Sequence, residues 1–293
     1  MIKRRLEVSA ALLFGLFSAG IVLILPVRVY QYLKIIEPVT GFYEKTDFSV
    51  VLLYALLAGF CGTMLAVSYA RKRAIAYSTT TRKNTVLGVL ALIVAVTLVM
   101  DAVLMSRNYS SLYYGAQSLA DESSGGMMKS GAVPMLFESA FAVLSALFFT
   151  VLGVGFITGR SNGAEYKLLA ITPLAWAICR ILHRFMRTIS FMRVSDLFFE
   201  LLMIVCLMVF FMAFAQMIAR VNHKGADWKI VGFGLPAALL CLLCFVPRVA
   251  MMIMGKGALL AAQSPPEYVD FALALFILAF ILTKMRFLKR EEN

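Results

Sequence analysis

The sequence predicts an all-α polytopic membrane protein: eight transmembrane helices paired as four hairpins, with both termini cytoplasmic. Three observations predict it. Of 293 residues, 61% are hydrophobic and 15% charged, whereas soluble domains run nearer a quarter charged. The apolar residues come in blocks of about 20, the length that spans a ~30 Å hydrocarbon core as a helix. The remaining charge is sorted between the ends of those blocks.

The first span, 7–33, follows the basic head MIKRR, and its apolar run is longer than the core of a signal peptide, so it reads as an uncleaved helix. The second, 49–70, ends at the basic loop RKRAIAYSTTTRKN (71–84), and the third covers 85–105. A Ser-, Gly- and Tyr-rich stretch, 106–132, is expected as a long loop. The fourth span, 134–158, opens on Pro134 and closes at Gly159 and Asn162-Gly163. Gly155 and Gly159 form a GxxxG, a candidate close-packing pair. The fifth span, 167–189, contains Pro173, expected to kink it, and Arg180. The sixth covers 196–219, the seventh 229–254 after Gly225, and the eighth 267–284 after Pro266.

Lys and Arg set the orientation. With the N-terminus inside, 17 of the 28 basic residues but only 5 of the 16 acids fall in cytoplasmic segments. The whole net charge of +12 then lies on one face. This accounts for the basic pI through the cell membrane alone, without nucleic acid; the 71–84 loop reads first as a topology signal. Arg184, Arg187 and Arg193 violate the scheme, but dropping the fifth span misplaces more charges downstream.

Each descending helix opens with an acid: Asp47, Glu138, Glu200 and Asp270. Each ascending helix ends with a charge: Arg28, Asp101, Arg180 and Arg248. Arg28 to Arg180 and Asp47 to Glu200 repeat at nearly one spacing, suggesting two parallel four-helix halves, 1–160 and 161–293. Helix dipoles favour acids at N-termini and Arg at C-termini, which is reason enough for Arg28, Asp47, Glu138 and Arg248. Arg180, Asp101 and Asp270 lie some 20 Å from the cytoplasmic ends at ~1.5 Å per residue. A charge so deep faces the bundle interior and either pairs or lines a wet cavity.

The sharpest feature is RILHRFMRTISFMRVSDLFFE, residues 180–200. Arg180, His183, Arg184 and Arg187 share one helix face by the i, i+3, i+4, i+7 rule, with Trp176 one turn deeper. Ile181, Phe185 and Ile189 line the opposite face. Guanidinium forks bind carboxylate and phosphate. One reading is an outward-facing cavity for an anionic or zwitterionic small molecule, lined by this stripe with Arg28 and Arg248 and tuned by Asp47, Asp101, Glu138, Glu200 and Asp270. The other is a structural network in which the same acids neutralise the same arginines.

No HExxH, GxSxG or Walker A motif occurs, and no loop can hold a catalytic domain, so an enzyme is not expected. The cysteines (Cys61, Cys179, Cys206, Cys241, Cys244) fall in apolar runs as packing residues, and no metal or other cofactor is expected. Two functions follow: a small-solute transporter or solute-binding membrane subunit, or a non-transporting sensor or assembly subunit with a partner membrane protein.

Overall fold

The computed structural model describes residues 2–38, 40–44, 47–77, 83–118, 132–159, 167–186, 194–219, 225–260 and 266–287. Among these the chain forms eight α-helices: α1 (Ile2–Lys34), α2 (Phe48–Ala70), α3 (Thr85–Ser118), α4 (Ala132–Thr158), α5 (Thr172–Met186), α6 (Val194–Ile218), α7 (Ala226–Ile253) and α8 (Tyr268–Lys284). Two three-residue strands, β1 (Ile75–Tyr77) and β2 (Met285–Phe287), complete it with short 3-10 turns at Leu169–Ile171 and Gly257–Leu260. Six helices, α1–α4, α6 and α7, hold apolar stretches of 23 to 28 residues, long enough to cross a membrane. The other two, α5 with 15 residues and α8 with 17, are shorter.

Most helix boundaries fall within a few residues of those expected; two differ for definable reasons. The third helix continues past 105 to Ser118. SRNYSSLYY contains neither Pro nor Gly, so nothing in it ends a helix when the apolar run stops at Arg107. The rest of the expected loop, 119–131, lies outside the described residues. The fifth begins at Thr172, after the 3-10 turn, so Pro173 falls in the first turn instead of kinking a longer helix. There its missing N–H costs nothing.

Contacts divide the chain into two units. The first comprises residues 1–80, 191–213 and 222–293. Its centre is α7, buried along nearly its whole length and packed on α1, α2 and α8. Small residues make that possible. A Cβ on Gly234 would lie 3.0 Å from Ile281 Cδ1 and 3.1 Å from Phe210 Cδ2, and one on Gly232 would lie 3.2 Å from Ser68 Cβ. Pro236 and Pro247 inside α7 are tolerated because neighbouring helices shield the freed backbone groups. The strands, unforeseen in the sequence, pair antiparallel, Ile75 with Phe287 and Tyr77 with Met285. Buried Ile75 and Met285 and the stacking of Tyr77 on Phe280 hold them.

The second unit comprises residues 81–190 and 214–221. Here α4 packs on both α3 and α5. A Cβ on Gly88 would meet Ile157 Cγ1 at 2.5 Å and the Gly153 carbonyl at 2.8 Å; one on Gly153 would meet the Gly88 carbonyl at 2.9 Å. Close packing therefore runs through Gly88 and Gly153. Gly159, of the expected GxxxG, has φ 76° and terminates α4 in the left-handed region that favours glycine.

The side chains are sorted inside out. On α5, Arg180 and His183 are buried while Leu182 and Phe185 are about half exposed or more. Ile181 is half-buried, and Ile189 lies outside the described residues. A helix that exposes its apolar face and hides its charges suits a lipid surround.

Candidate functional site

Each unit buries its own cluster of charges. In the first, α1 supplies Arg28, Gln31 and Tyr32, spaced i, i+3, i+4 and so on one face. The segment after α1 folds back through Gly41, whose φ is 72°, and an antiparallel bridge between Ile36 and Tyr43. That turn brings the Tyr43 hydroxyl to 3.0 Å from Arg28 Nη1, which also donates to Gln31 Oε1 at 2.8 Å. Gln31 Nε2 in turn donates to the Ser49 carbonyl at 3.0 Å, tying α1 to the first turn of α2.

From α6 come Asp196 and Glu200, again one turn apart. Asp196 Oδ1 accepts from Arg28 Nη2 and, at 2.9 Å, from the Tyr32 hydroxyl. Arg248 on α7 closes the arrangement: its Nη2 donates to Glu200 Oε1 at 2.8 Å and lies 3.2 Å from Asp196 Oδ2. The Arg28 guanidinium also lies over the rings of Tyr32 and Phe199, 4.8 and 4.9 Å from their centroids. All four charged residues are 1–3% exposed. Two cations and two anions in direct contact balance, as a buried network must if it is not to cost several kcal/mol per uncompensated ion. Asp270, buried on α8, lies in the same electrostatic neighbourhood of Cys244 as Arg248, Glu200 and Asp196.

In the second unit, α5 supplies Trp176, Arg180, His183 and Arg184, and α4 supplies Glu138. His183 Nδ1 lies 2.5 Å from Glu138 Oε2, with both residues under 5% exposed. Arg180 lies over the Trp176 ring, 5.0 Å from its centroid, and is 1% exposed. Arg184 is half-buried. Asp101, on α3, is buried. Its depth follows from the register of α3 on α4, in which Gly88 meets Gly153 and the Asn84 N–H donates to the Phe156 carbonyl. Counting away from the glycines at ~1.5 Å per residue puts Asp101 ~20 Å along α3 and Glu138 ~22 Å along α4, at one level. Arg180, Arg184 and Asp101 each have partners of their own. The Trp176 indole N–H, 1% exposed, has no hydrogen-bond partner among the described residues.

The twelve sequence candidates therefore separate. Arg28, Arg248 and Glu200 come together, and Asp270 is near them. Trp176, Arg180, His183, Arg184 and Glu138 form the other group, level with Asp101. Asp47 is apart from both contact sets: it precedes α2 as its N-cap residue, and its Oδ2 accepts from Ser49 Oγ at 3.3 Å. Arg187 lies outside the described residues, as does Arg193.

Sequence reasoning passed over Asp196, which bridges both arginines of the first cluster, and Tyr32 and Gln31 beside Arg28. A signal for Asp196 was present, because Asp196 and Glu200 share a helix face. None existed for Tyr43, which arrives through a loop. The five cysteines are free thiols. Comparison with protein-family models, with curated proteins and with solved structures finds no match.

Proposed function

We propose that this chain is a small-solute transporter or solute-binding membrane subunit whose ligand, anionic or zwitterionic, binds at the α5 stripe of the second unit. One observation carries the reading. The buried Trp176 indole N–H has no acceptor among the described residues, and its ring lies under a buried guanidinium. An unsatisfied buried donor costs roughly 1–3 kcal/mol, and indole can only donate. A carboxylate or phosphate has oxygens enough to accept from the indole N–H at the ring edge through one and from the guanidinium over the ring face through another. Arg180 and Arg184 supply the charge, Trp176 the orienting donor, and Asp101 and Glu138 the countercharge.

The proposal includes eight spans with both termini cytoplasmic in the cell membrane, the stripe facing outward, and two parallel four-helix halves, 1–160 and 161–293. The inside-out polarity of α5 supports a membrane position for this short helix. The test is uptake of a panel of labelled monocarboxylates and amino acids by proteoliposomes, with Arg180→Gln, Arg184→Gln and Asp101→Asn beside the wild type. Loss of uptake in variants that still fold is expected; full uptake in all three places the site elsewhere.

A second reading, a non-transporting sensor or assembly subunit, is favoured by the direct Arg28–Asp196–Arg248–Glu200 ion pairing, which ties α1, α6 and α7 together by protein contacts. Stoichiometric co-purification of a partner membrane protein in mild detergent, with no solute flux in liposomes, would select it.

A further inference from the structure

The His183–Glu138 pair carries the argument beyond binding. In the helices of the second unit, the buried or half-buried charges among the described residues are Asp101 on α3, Glu138 on α4, and Arg180 and Arg184 on α5. With His183 neutral these four sum to zero; Arg187, four residues on from His183, lies outside the described residues and is not in the sum. Cys179, next to the arginine, shares the electrostatic neighbourhood of Glu138, and the portion of α6 in this unit has no charged residue among those described. Exposed Arg107 lies more than a turn beyond Asp101 on α3. His183 Nδ1 lies 2.5 Å from Glu138 Oε2, a contact that needs a proton between the two atoms, and imidazole can carry a second one on its other nitrogen.

A net charge in low dielectric is costly, and its cost falls when an opposite charge arrives with it. An anion entering beside Trp176 and Arg180 would leave the cluster at one negative charge if His183 stayed neutral, and at zero if the imidazole took a proton from solvent. Each event lowers the cost of the other. We propose that this site binds one proton and one anion together, the proton on the His183–Glu138 pair and the carboxylate or phosphate group of the anion on Arg180 and Trp176, so that the protein is a proton-coupled anion carrier. This rests on the reading of the α5 stripe as a solute site. No proton passes to the anion; the imidazole gains it on loading and returns it on release.

The test uses wild-type protein in nanodiscs with acetate and dimethyl phosphate as probes. Each carries one negative charge throughout pH 6.5–8.5, so any pH dependence belongs to the protein, and the two arms separate carboxylate from phosphate recognition. Ligand-induced thermal stabilisation gives an apparent affinity, and a pH dye in weakly buffered solution counts protons. Uptake of one proton per bound anion is expected, with affinity falling about tenfold per pH unit once the pair is deprotonated, as linkage of a single proton requires. Glu138→Gln removes one negative charge, as protonation does, and is expected to bind with no pH dependence and no proton uptake. Binding by wild type that is independent of pH, without proton uptake, overturns the coupling but leaves the site standing. Absence of binding by either probe at any pH overturns the solute site and the coupling with it. If Glu138→Gln does not fold, the wild-type titration alone decides.

Discussion

In the first unit, two arginines meet two carboxylates directly, Tyr43 and Gln31 accept from Arg28, and the Tyr32 hydroxyl donates to Asp196. In the second, a histidine meets one carboxylate, an arginine lies over an indole, and the indole N–H is left over. Both clusters are buried in helices of the same chain. The difference lies in how the ions are matched: in the first, each arginine touches a carboxylate directly, although Asp196 Oδ2 and Arg248 Nε make no hydrogen bond, whereas in the second the carboxylate contact is to a histidine and the indole N–H finds no acceptor among the described residues. Neither burial of charge nor a leftover valence therefore separates structure from function; direct pairing of opposite ions does. By that criterion Arg28 and Arg248, which the sequence suggested as ligand contacts, meet Asp196 and Glu200 and so fasten α1, α6 and α7.

The strongest way to break this comparison is at Asp196. Asp196→Ala removes the shared acceptor of Arg28 and Tyr32 and the second anion near Arg248. Stranding buried charge in this way typically costs ~3–5 kcal/mol. Denaturant unfolding in detergent should show a loss of that order, with no change in anion-induced stabilisation if the protein is studied below its lowered Tm. A loss under ~1 kcal/mol would mean the network is not fastening the first unit.

A double-mutant cycle at Glu200 and Arg248 sharpens the same point. Each truncation alone leaves its partner buried, so Glu200→Leu and Arg248→Met should each destabilise more than the pair made together. The coupling expected between contacting residues is ~0.5–3 kcal/mol. Simple additivity in thermal unfolding would remove the pair from the structural account.

Within the second unit, Gly153→Ala tests the frame and not the charges. The added Cβ would lie 2.9 Å from the Gly88 carbonyl and 3.0 Å from Leu92 Cγ. Overpacking of this kind costs ~1–3 kcal/mol, and the expected result is a lowered Tm. Because the same packing sets the level of Asp101 and Glu138, weaker anion stabilisation should accompany it.

The smallest effect is expected from Trp176→Phe, which keeps a ring for Arg180 but deletes the N–H. Unliganded stability should fall by about 1 kcal/mol or less, because the packing lost with the larger ring is partly offset by removal of an unsatisfied N–H. Anion affinity should fall about tenfold, the worth of one hydrogen bond to a charged group at ~1.5 kcal/mol. Unchanged affinity would remove Trp176 from the site while leaving the arginines in it.

The helices were legible because hydrophobic run length is a local property. A block of some 20 apolar residues is recognisable without its neighbours, and Pro134, Gly159, Gly225 and Pro266 punctuate those blocks in the chain itself. The one-sided stripe on α5 was legible for the same reason, since the 3.6-residue period alone puts Arg180, His183 and Arg184 together. What failed locally also failed for a physical reason: the end of α3 depends on helix propensity beyond the apolar run, and β1–β2 pairing joins segments more than 200 residues apart.

The sequence by itself determined that the chain is apolar, helical and able to cross a membrane several times, and that a few charges must be hidden, because these follow from composition and period. Only the tertiary structure decided which charges meet. Arg28 is 168 residues from Asp196, and Arg248 is 48 from Glu200. Any of these arginines could electrostatically satisfy any of these acids. Coulomb attraction has no sequence address, and the choice among partners was made by packing: α7 threaded between α1, α2 and α8 in one unit, and glycine-to-glycine approach of α3 and α4 in the other.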